Sequence, residues 1–274
     1  MTTTLQGRTI LMSGGSRGIG LAIALRAAAD GANVALLAKT DQPHPALEGT
    51  IHTAAAEIEA AGGKALPVVG DVRSEESVRD AVAATVERFG GIDIVVNNAS
   101  AVDVSPAREL PMKKYDLMQE VNTRGTYLLT AAAIEHLERA ENPHVLTMSP
   151  PLNLDPKWFG PHTAYSISKY GMSMVTLGLA EELREDGIAV NSLWPRTIIA
   201  TAAIRNVLGG EAAMARARDP RIMGDAAHAI LTRPAREATG TFFVDDEVLA
   251  AAGITDLSVY GGSPETLQPD IFLD

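Results

Sequence analysis

The sequence predicts an α/β protein, a doubly wound parallel sheet of about seven strands with helices on both faces. Three observations carry this reading. Short aliphatic and β-branched runs alternate with longer Ala-rich stretches along the chain, the pattern of strands buried on both faces and joined by crossover helices. The first run leads straight into a glycine-rich turn and then a helical pattern. A chain of 274 residues that is 46% apolar can bury a full core as one unit, so residues 1–274 are expected to form a single domain.

In order, strands are expected at residues 9–12, 33–37, 65–69, 92–97, 144–148, 188–194 and 241–244. Helices are expected at about 19–29, 50–61, 74–89, 115–140 and 165–186, several ending at a glycine as helix C-caps do. Residues 39–49 and 150–161 are Pro-rich and aperiodic and read as loops, and about 198–225 reads as a helical flap.

A net charge of −11 argues against a nucleic-acid or anionic-membrane partner. With no cysteine and six scattered histidines, disulfides, thiol catalysis and a structural metal are not expected. The N-terminus lacks a signal pattern and no apolar run is long enough to cross a bilayer, so a cytoplasmic protein is expected.

The turn SGGSRGIG, Ser13 to Gly20, lies between a strand and a helix, as a phosphate-binding turn must. Gly14 can make the tight turn, Gly18 admits a pyrophosphate close to the backbone, and Gly20 lets the helix pack against the sheet. Ser16, Arg17 and Ile19 complete the turn, and the helix N-terminus offers N–H groups to the anion. This is the Rossmann arrangement. The second strand ends Ala38-Lys39-Thr40, without the carboxylate that would bind the ribose hydroxyls of NAD. Lys39, helped by Arg17, can neutralise a 2′-phosphate, which favours NADP(H); the alternatives are that Lys39 only solvates a strand end, and that NAD(H) is used. Tyr165 and Lys169 are one helical turn apart and share a face. An unperturbed phenol titrates at about 10, and a neighbouring ammonium lowers that toward a working range.

The turn, Asp71-Val72, NNAS at residues 97–100 and Tyr165-Ser-Ile-Ser-Lys169 together resemble the short-chain dehydrogenase/reductase family over almost the whole chain. VNTRGTY, SPPLNLDPKWF, KYGMSM and the closing LQPDIFLD are similar to its hydroxysteroid dehydrogenase-like protein 2 group. Eukaryotic members of that group carry a sterol-carrier domain after the dehydrogenase, and this chain is expected to act without one. The resemblance implies an NADP(H)-dependent oxidoreductase acting on an apolar alcohol or ketone, with Tyr165 as general acid/base and Lys169 both tuning it and bonding the nicotinamide ribose. It assigns Asn122 to a proton relay, where a helix-bend role is the alternative. Asp71 and Val72 fall beside the adenine, Asn97, Asn98 and Ala99 along the adenosine and ribose, and Pro195 and the Ile198 backbone at the nicotinamide. Helix-packed dimers or tetramers are also implied.

Two places depart from the family pattern. The substrate-orienting serine matches Ser149, yet Pro150 follows and the count back from Tyr165 reaches Leu152, so Ser149 is either that serine or a strand-end cap. The usual Pro-Gly is Pro195-Arg196, and Arg196 recognises an anion or faces solvent. Trp158, Phe159 and Trp194 wall an apolar pocket or pack locally. A non-catalytic NADP(H)-binding sensor is the rival reading, supported only by these departures.

Overall fold

The structure, a computed structural model, describes residues 4–43, 49–263 and 265–274, with Leu208 described by its backbone alone. The loop expected at 39–49 therefore lies partly, at 44–48, outside the described residues, as do the first three residues of the N-terminus. Within the described residues seven strands form where the aliphatic runs stand: β1 (Thr9–Ser13), β2 (Asn33–Ala38), β3 (Lys64–Val69), β4 (Ile94–Asn97), β5 (His144–Thr147), β6 (Ala189–Trp194) and β7 (Phe242–Val244). All pair in parallel, in the order β3-β2-β1-β4-β5-β6-β7. The order reverses between β1 and β4, which opens a crevice beyond their C-terminal ends. There Ser13 and Asn97 are level in register, and the Ser13 hydroxyl accepts from the N–H groups of Asn98 and Ala99 at 3.3 and 3.2 Å.

Because side chains alternate along a strand, neighbouring residues feed two cores. Ile10, Met12, Val34 and Leu36 pack with Ile23, Ile58, Met223 and Ile230 on one face. Leu11, Ala35, Val95 and Val190 pack with Val78, Leu129 and Leu179 on the other. The first face is covered by α1 (Gly18–Ala28), α2 (Ile51–Ala60) and, toward the C-terminus, α8 (Arg221–Leu231); the second by α3 (Glu75–Phe89), α5 (Gly125–Leu137) and α6 (Thr163–Glu182).

The helix expected at 115–140 is three pieces: α4 (Met112–Met118), a π-helical stretch at Gln119–Arg124 and α5 (Gly125–Leu137). The next, α6, runs Thr163–Glu182. The flap region holds a π-helical stretch at Ile204–Leu208 and the short α7 (Gly210–Met214), but its last residues already belong to α8 (Arg221–Leu231), which continues past the expected end. The sequence reading also omitted α9 (Asp245–Ala251).

The last residues form a strap across the C-terminal end of β6. Gln268 O accepts from Ile198 N at 3.0 Å, Asp270 N donates to Arg196 O at 3.0 Å, and Thr197 bridges Pro269 in antiparallel fashion. The Trp194 indole N–H then donates to Ile271 O at 2.9 Å. Phe272 follows with φ 76°, the single non-glycine residue of positive φ among those described, and its side chain is fully buried.

Candidate active site

The glycine turn is shaped by contact. A Cβ on Gly14, whose φ is +75°, would stand 2.8 Å from Ala99 Cα, and one on Gly20 would stand 2.5 Å from Asn98 Nδ2. Asn98 in turn donates to Gly14 O at 2.7 Å, so the loop after β4 locks the turn after β1. No side chain caps α1, which starts after Arg17; its first N–H groups are left to a ligand, the usual anion-binding arrangement.

A cavity of about 510 Å³ lies over this turn, lined by Gly14, Ser16, Arg17, Gly18, Ile19, Ala38, Lys39, Asp71, Val72, Asn98 and Ala99. The sequence reading placed all of these at the cofactor. A second cavity of about 790 Å³ adjoins it through Arg17, Gly18 and Thr201. Asn97 stands apart, buried, with its amide donating to the Thr130 hydroxyl at 2.9 Å. Lys39 Nζ is half exposed and 3.5 Å from Asp71 Oδ2. Burial pushes the Asp71 carboxyl up, but the Arg73 guanidinium bonded to it and Lys39 outweigh that and hold it at about 2.

The catalytic candidates do not line this cavity; Lys169 lies beyond the C-terminal ends of β5 and β6, against Met148 and Trp194. Tyr165 and Lys169, in the first half of α6, are 6% and 2% exposed. The Lys169 ammonium donates to Met148 O at 2.6 Å, touches Met172 Sδ at 3.4 Å and lies 5.0 Å from the centre of the Trp194 ring. Burial pushes it down to about 7, with Asp270 opposing. The expectation of a lowered Tyr165 phenol is not met here. Burial, and then the charge of Asp270, push it upward.

Asn122, in the π-helical stretch, is fully buried. Its Oδ1 accepts from Ala101 N at 2.7 Å, and its Nδ2 donates to Ala101 O at 3.0 Å and to Ser168 Oγ at 2.9 Å, tying the loop after β4 to α6. Ser149, read as the end of the fifth strand, stands two residues beyond β5, and its hydroxyl is buried without a hydrogen-bond partner. Pro195 is buried. The Ile198 N–H, which the resemblance assigns to the nicotinamide, is engaged by Gln268 O. Arg196 lies at the surface, where its guanidinium pairs with Asp246 and Glu247 on α9.

Trp158, Phe159 and Trp194 pack around the strap. Phe272 lies between 5.1 and 6.3 Å, ring centre to ring centre, from Trp158, His162, Tyr165, Tyr170 and Trp194. The sequence reading missed His162, Asp245, Asp270 and Phe272. The last two lie in the LQPDIFLD block, which has no period and was noticed only as a resemblance. His162 Nδ1, Trp158 Nε1 and Asp245 Oδ2 are buried without partners, and burial raises the Asp245 carboxyl to about 6.

A doubly wound sheet with a glycine turn at its switch point and a Tyr-Lys helix beside it defines a nicotinamide-type oxidoreductase fold, and comparison with known proteins agrees. The chain belongs to the short-chain dehydrogenase family, which it matches over residues 8–209. It is similar to hydroxysteroid dehydrogenase-like protein 2 of Danio rerio, 57% identical over 274 residues, covering all of this chain and 65% of that protein. The human protein of that name is 52% identical, with the same shares covered. The chain thus spans less than two thirds of the length of these relatives. A solved structure from Xanthomonas campestris superposes with a TM-score of 0.95 at 56% identity, covering 99% of both chains. A short chain dehydrogenase from Mycobacterium thermoresistibile gives 0.93 at 55% identity, covering 99% of this chain and 96% of that one.

Proposed function

We propose that this chain is an NADP(H)-dependent oxidoreductase that interconverts an apolar alcohol and its carbonyl compound. The observation that carries the reading is the uncapped α1 N-terminus and glycine cradle, with Lys169 of the Tyr165–Lys169 pair on α6 lying beyond the C-terminal ends of β5 and β6 in the same sheet. The residues fit the cofactor: a Cβ at Gly14 or Gly20 would fill the cradle, and no carboxylate stands at the end of β2 to repel a 2′-phosphate. Gly14 to Gly20 hold the pyrophosphate, Asp71 and Val72 flank the adenine, and Asn98 and Ala99 follow the ribose. Lys39 and Arg17 neutralise the 2′-phosphate. The cofactor, when bound, supplies or accepts the hydride.

Tyr165 donates the proton to the carbonyl oxygen in reduction and withdraws it in oxidation. Lys169, one turn further along α6, bonds the nicotinamide ribose and helps reload the proton, and Asn122 holds the loop and helix between which the proton is replenished. Ser149 orients the substrate oxygen once its hydroxyl turns from its buried position. The segment 198–225 closes over substrate and excludes water. The whole chain acts as one domain, assembles as a dimer or tetramer, and works in the cytoplasm.

Equilibrium binding of NADPH and NADH at fixed salt tests this: NADPH binds in the micromolar range and NADH much more weakly. Failure to bind either overturns the proposal, and preference for NADH overturns the reading of Lys39. The buried Ser149 hydroxyl favours a second reading, a dinucleotide-binding sensor without turnover. In that case a Tyr165→Phe variant behaves as the parent does in every assay.

A further inference from the structure

We infer that the cavity of about 790 Å³ between α1 and the flap is a second ligand site, separate from Tyr165 and Lys169, for an amphiphile with an apolar body and an anionic carboxylate or phosphate head. The inference does not rest on the dehydrogenase reading.

Two glycines bring the walls of this cavity together at places where a side chain would hold them apart. A Cβ on Gly18 would stand 3.2 Å from Thr201 Cγ2, so the flap touches the glycine turn. A Cβ on Gly224 would stand 2.7 Å from Ala22 O, so α8 lies against α1. α1 faces the cavity with Gly18, Leu21, Ala22, Leu25 and Arg26, a stripe at helical spacing. Its other stripe, Ile23, Ala24, Ala27 and Ala28, packs in the core, and Leu21 and Leu25 are left half-buried. The flap side adds Ala200, Ala202, Met214 and Pro220. The result is a largely apolar hollow whose volume falls within the roughly 300–1,000 Å³ of small-molecule sites. Tyr165, Lys169 and Ser149 are not among the residues that line it.

The polar groups select the kind of molecule. Among the described residues the lining holds four arginines, Arg17, Arg26, Arg205 and Arg221, and two aspartates, Asp219 and Asp225. Both aspartates are engaged already. Asp219 Oδ1 meets Arg221 Nε at 3.1 Å and accepts from Arg221 N at 2.8 Å. Asp225 meets Arg26 Nε at 3.2 Å and accepts from the Tyr260 hydroxyl at 2.7 Å. From outside the lining, Asp30 pairs with Arg26 at 2.9 Å and Glu211 with Arg205 at 2.8 Å, and Arg17 donates to Gly49 O at 2.7 Å. A guanidinium carries five N–H donors and no acceptor, so the lining is rich in charged donors while its carboxylate oxygens are occupied. The planar donor fork matches the oxygens of a carboxylate or a phosphate. A fully polar anion would leave Leu21, Leu25 and Met214 against water, and a neutral apolar molecule would leave the arginines without an acceptor. A molecule with one apolar and one anionic end satisfies both parts of the wall.

The test uses the full chain without dinucleotide, by isothermal titration calorimetry at fixed salt. The probes are decanoate, decyl phosphate and the neutral decanol, each below the concentration at which it self-associates. Decanoate and decyl phosphate bind one per chain, the tighter of the two identifying the head, and decanol binds about tenfold more weakly or worse. Arg205 and Arg221 are exposed. Replacing both, Arg205→Gln with Arg221→Gln, weakens the two anions by about tenfold or more, the scale of a charge-assisted hydrogen bond, and leaves decanol unchanged. Ala22→Phe fills the floor and removes binding of all three probes. Binding of none by the parent protein, decanol binding as tightly as the anions, or affinities that survive Ala22→Phe each overturn the inference. Should Ala22→Phe fail to fold, the double glutamine variant decides, and an unchanged affinity for the anions overturns the site. NADPH binding is measured separately, so its failure counts against the proposed function and leaves this result standing.

Discussion

At the scale of single residues, position decides chemistry more than residue type does. Tyr165 is buried against the ring of Phe272 and carries a phenol pushed above its usual value, which under the proposed function keeps its proton available for a substrate oxygen. Tyr165→Phe removes only a hydroxyl. Turnover should fall by about 10²-fold or more while NADPH affinity and the urea midpoint change little, as read by steady-state kinetics, fluorescence titration and denaturation. Lys39 is half exposed and shares Asp71 with Arg73. Lys39→Ala should weaken NADPH by roughly 10- to 100-fold, the scale of one charge-assisted hydrogen bond, and leave NADH nearly unchanged. A parallel loss for both cofactors would place Lys39 outside the phosphate site.

At the scale of elements, the turn and the strap carry opposite kinds of constraint. Gly14→Ala puts a Cβ against the Ala99 backbone at a positive φ, so both strain and collision destabilise it, by about 1–3 kcal/mol together; the unfolding midpoint should fall along with dinucleotide affinity. Phe272 is also held at positive φ, but five rings surround it. Phe272→Ala should cost about 3–5 kcal/mol, and Phe272→Gly somewhat less than the added loss of a methyl would suggest, because glycine relieves the backbone; paired denaturation curves check this. The same contrast explains what could be read in advance. The glycine turn and the strands of the sheet announce themselves through local pattern, and so do Tyr165 and Lys169 through their spacing. α9 opens with Asp245, Asp246 and Glu247, a run that reads as a charged loop until Arg196, far off in sequence, pairs with it. Asp270 has no local signal at all, since what places it is a hydrogen bond to Arg196, just past β6 and far off in sequence.

At the scale of the whole molecule, buried titrating groups give stability a shape in pH. His144 starts β5, is 2% exposed, and burial lowers its imidazole to about 4. The unfolded chain therefore binds a proton that the folded chain refuses, and stability falls as pH drops from about 6.5 toward that value. Asp245, raised to about 6, contributes in the opposite sense: its stabilisation is present below the unfolded carboxyl pKa of about 4 and is lost as pH rises through the folded value. The cost of His144→Asn should accordingly be greatest near pH 7 and shrink by about 2 kcal/mol near pH 4.5, measured by urea unfolding at both; a pH-independent cost would assign His144 to packing alone. The chain has two tryptophans, and both Trp158 and Trp194 lie against Phe272. Its tryptophan emission therefore comes from one seam, where the strap meets the residues around α6. A small molecule that alters that emission without quenching by absorption has disturbed the proposed substrate end, and a fluorescence melt of this protein reports the parting of that seam before it reports anything about the rest of the sheet.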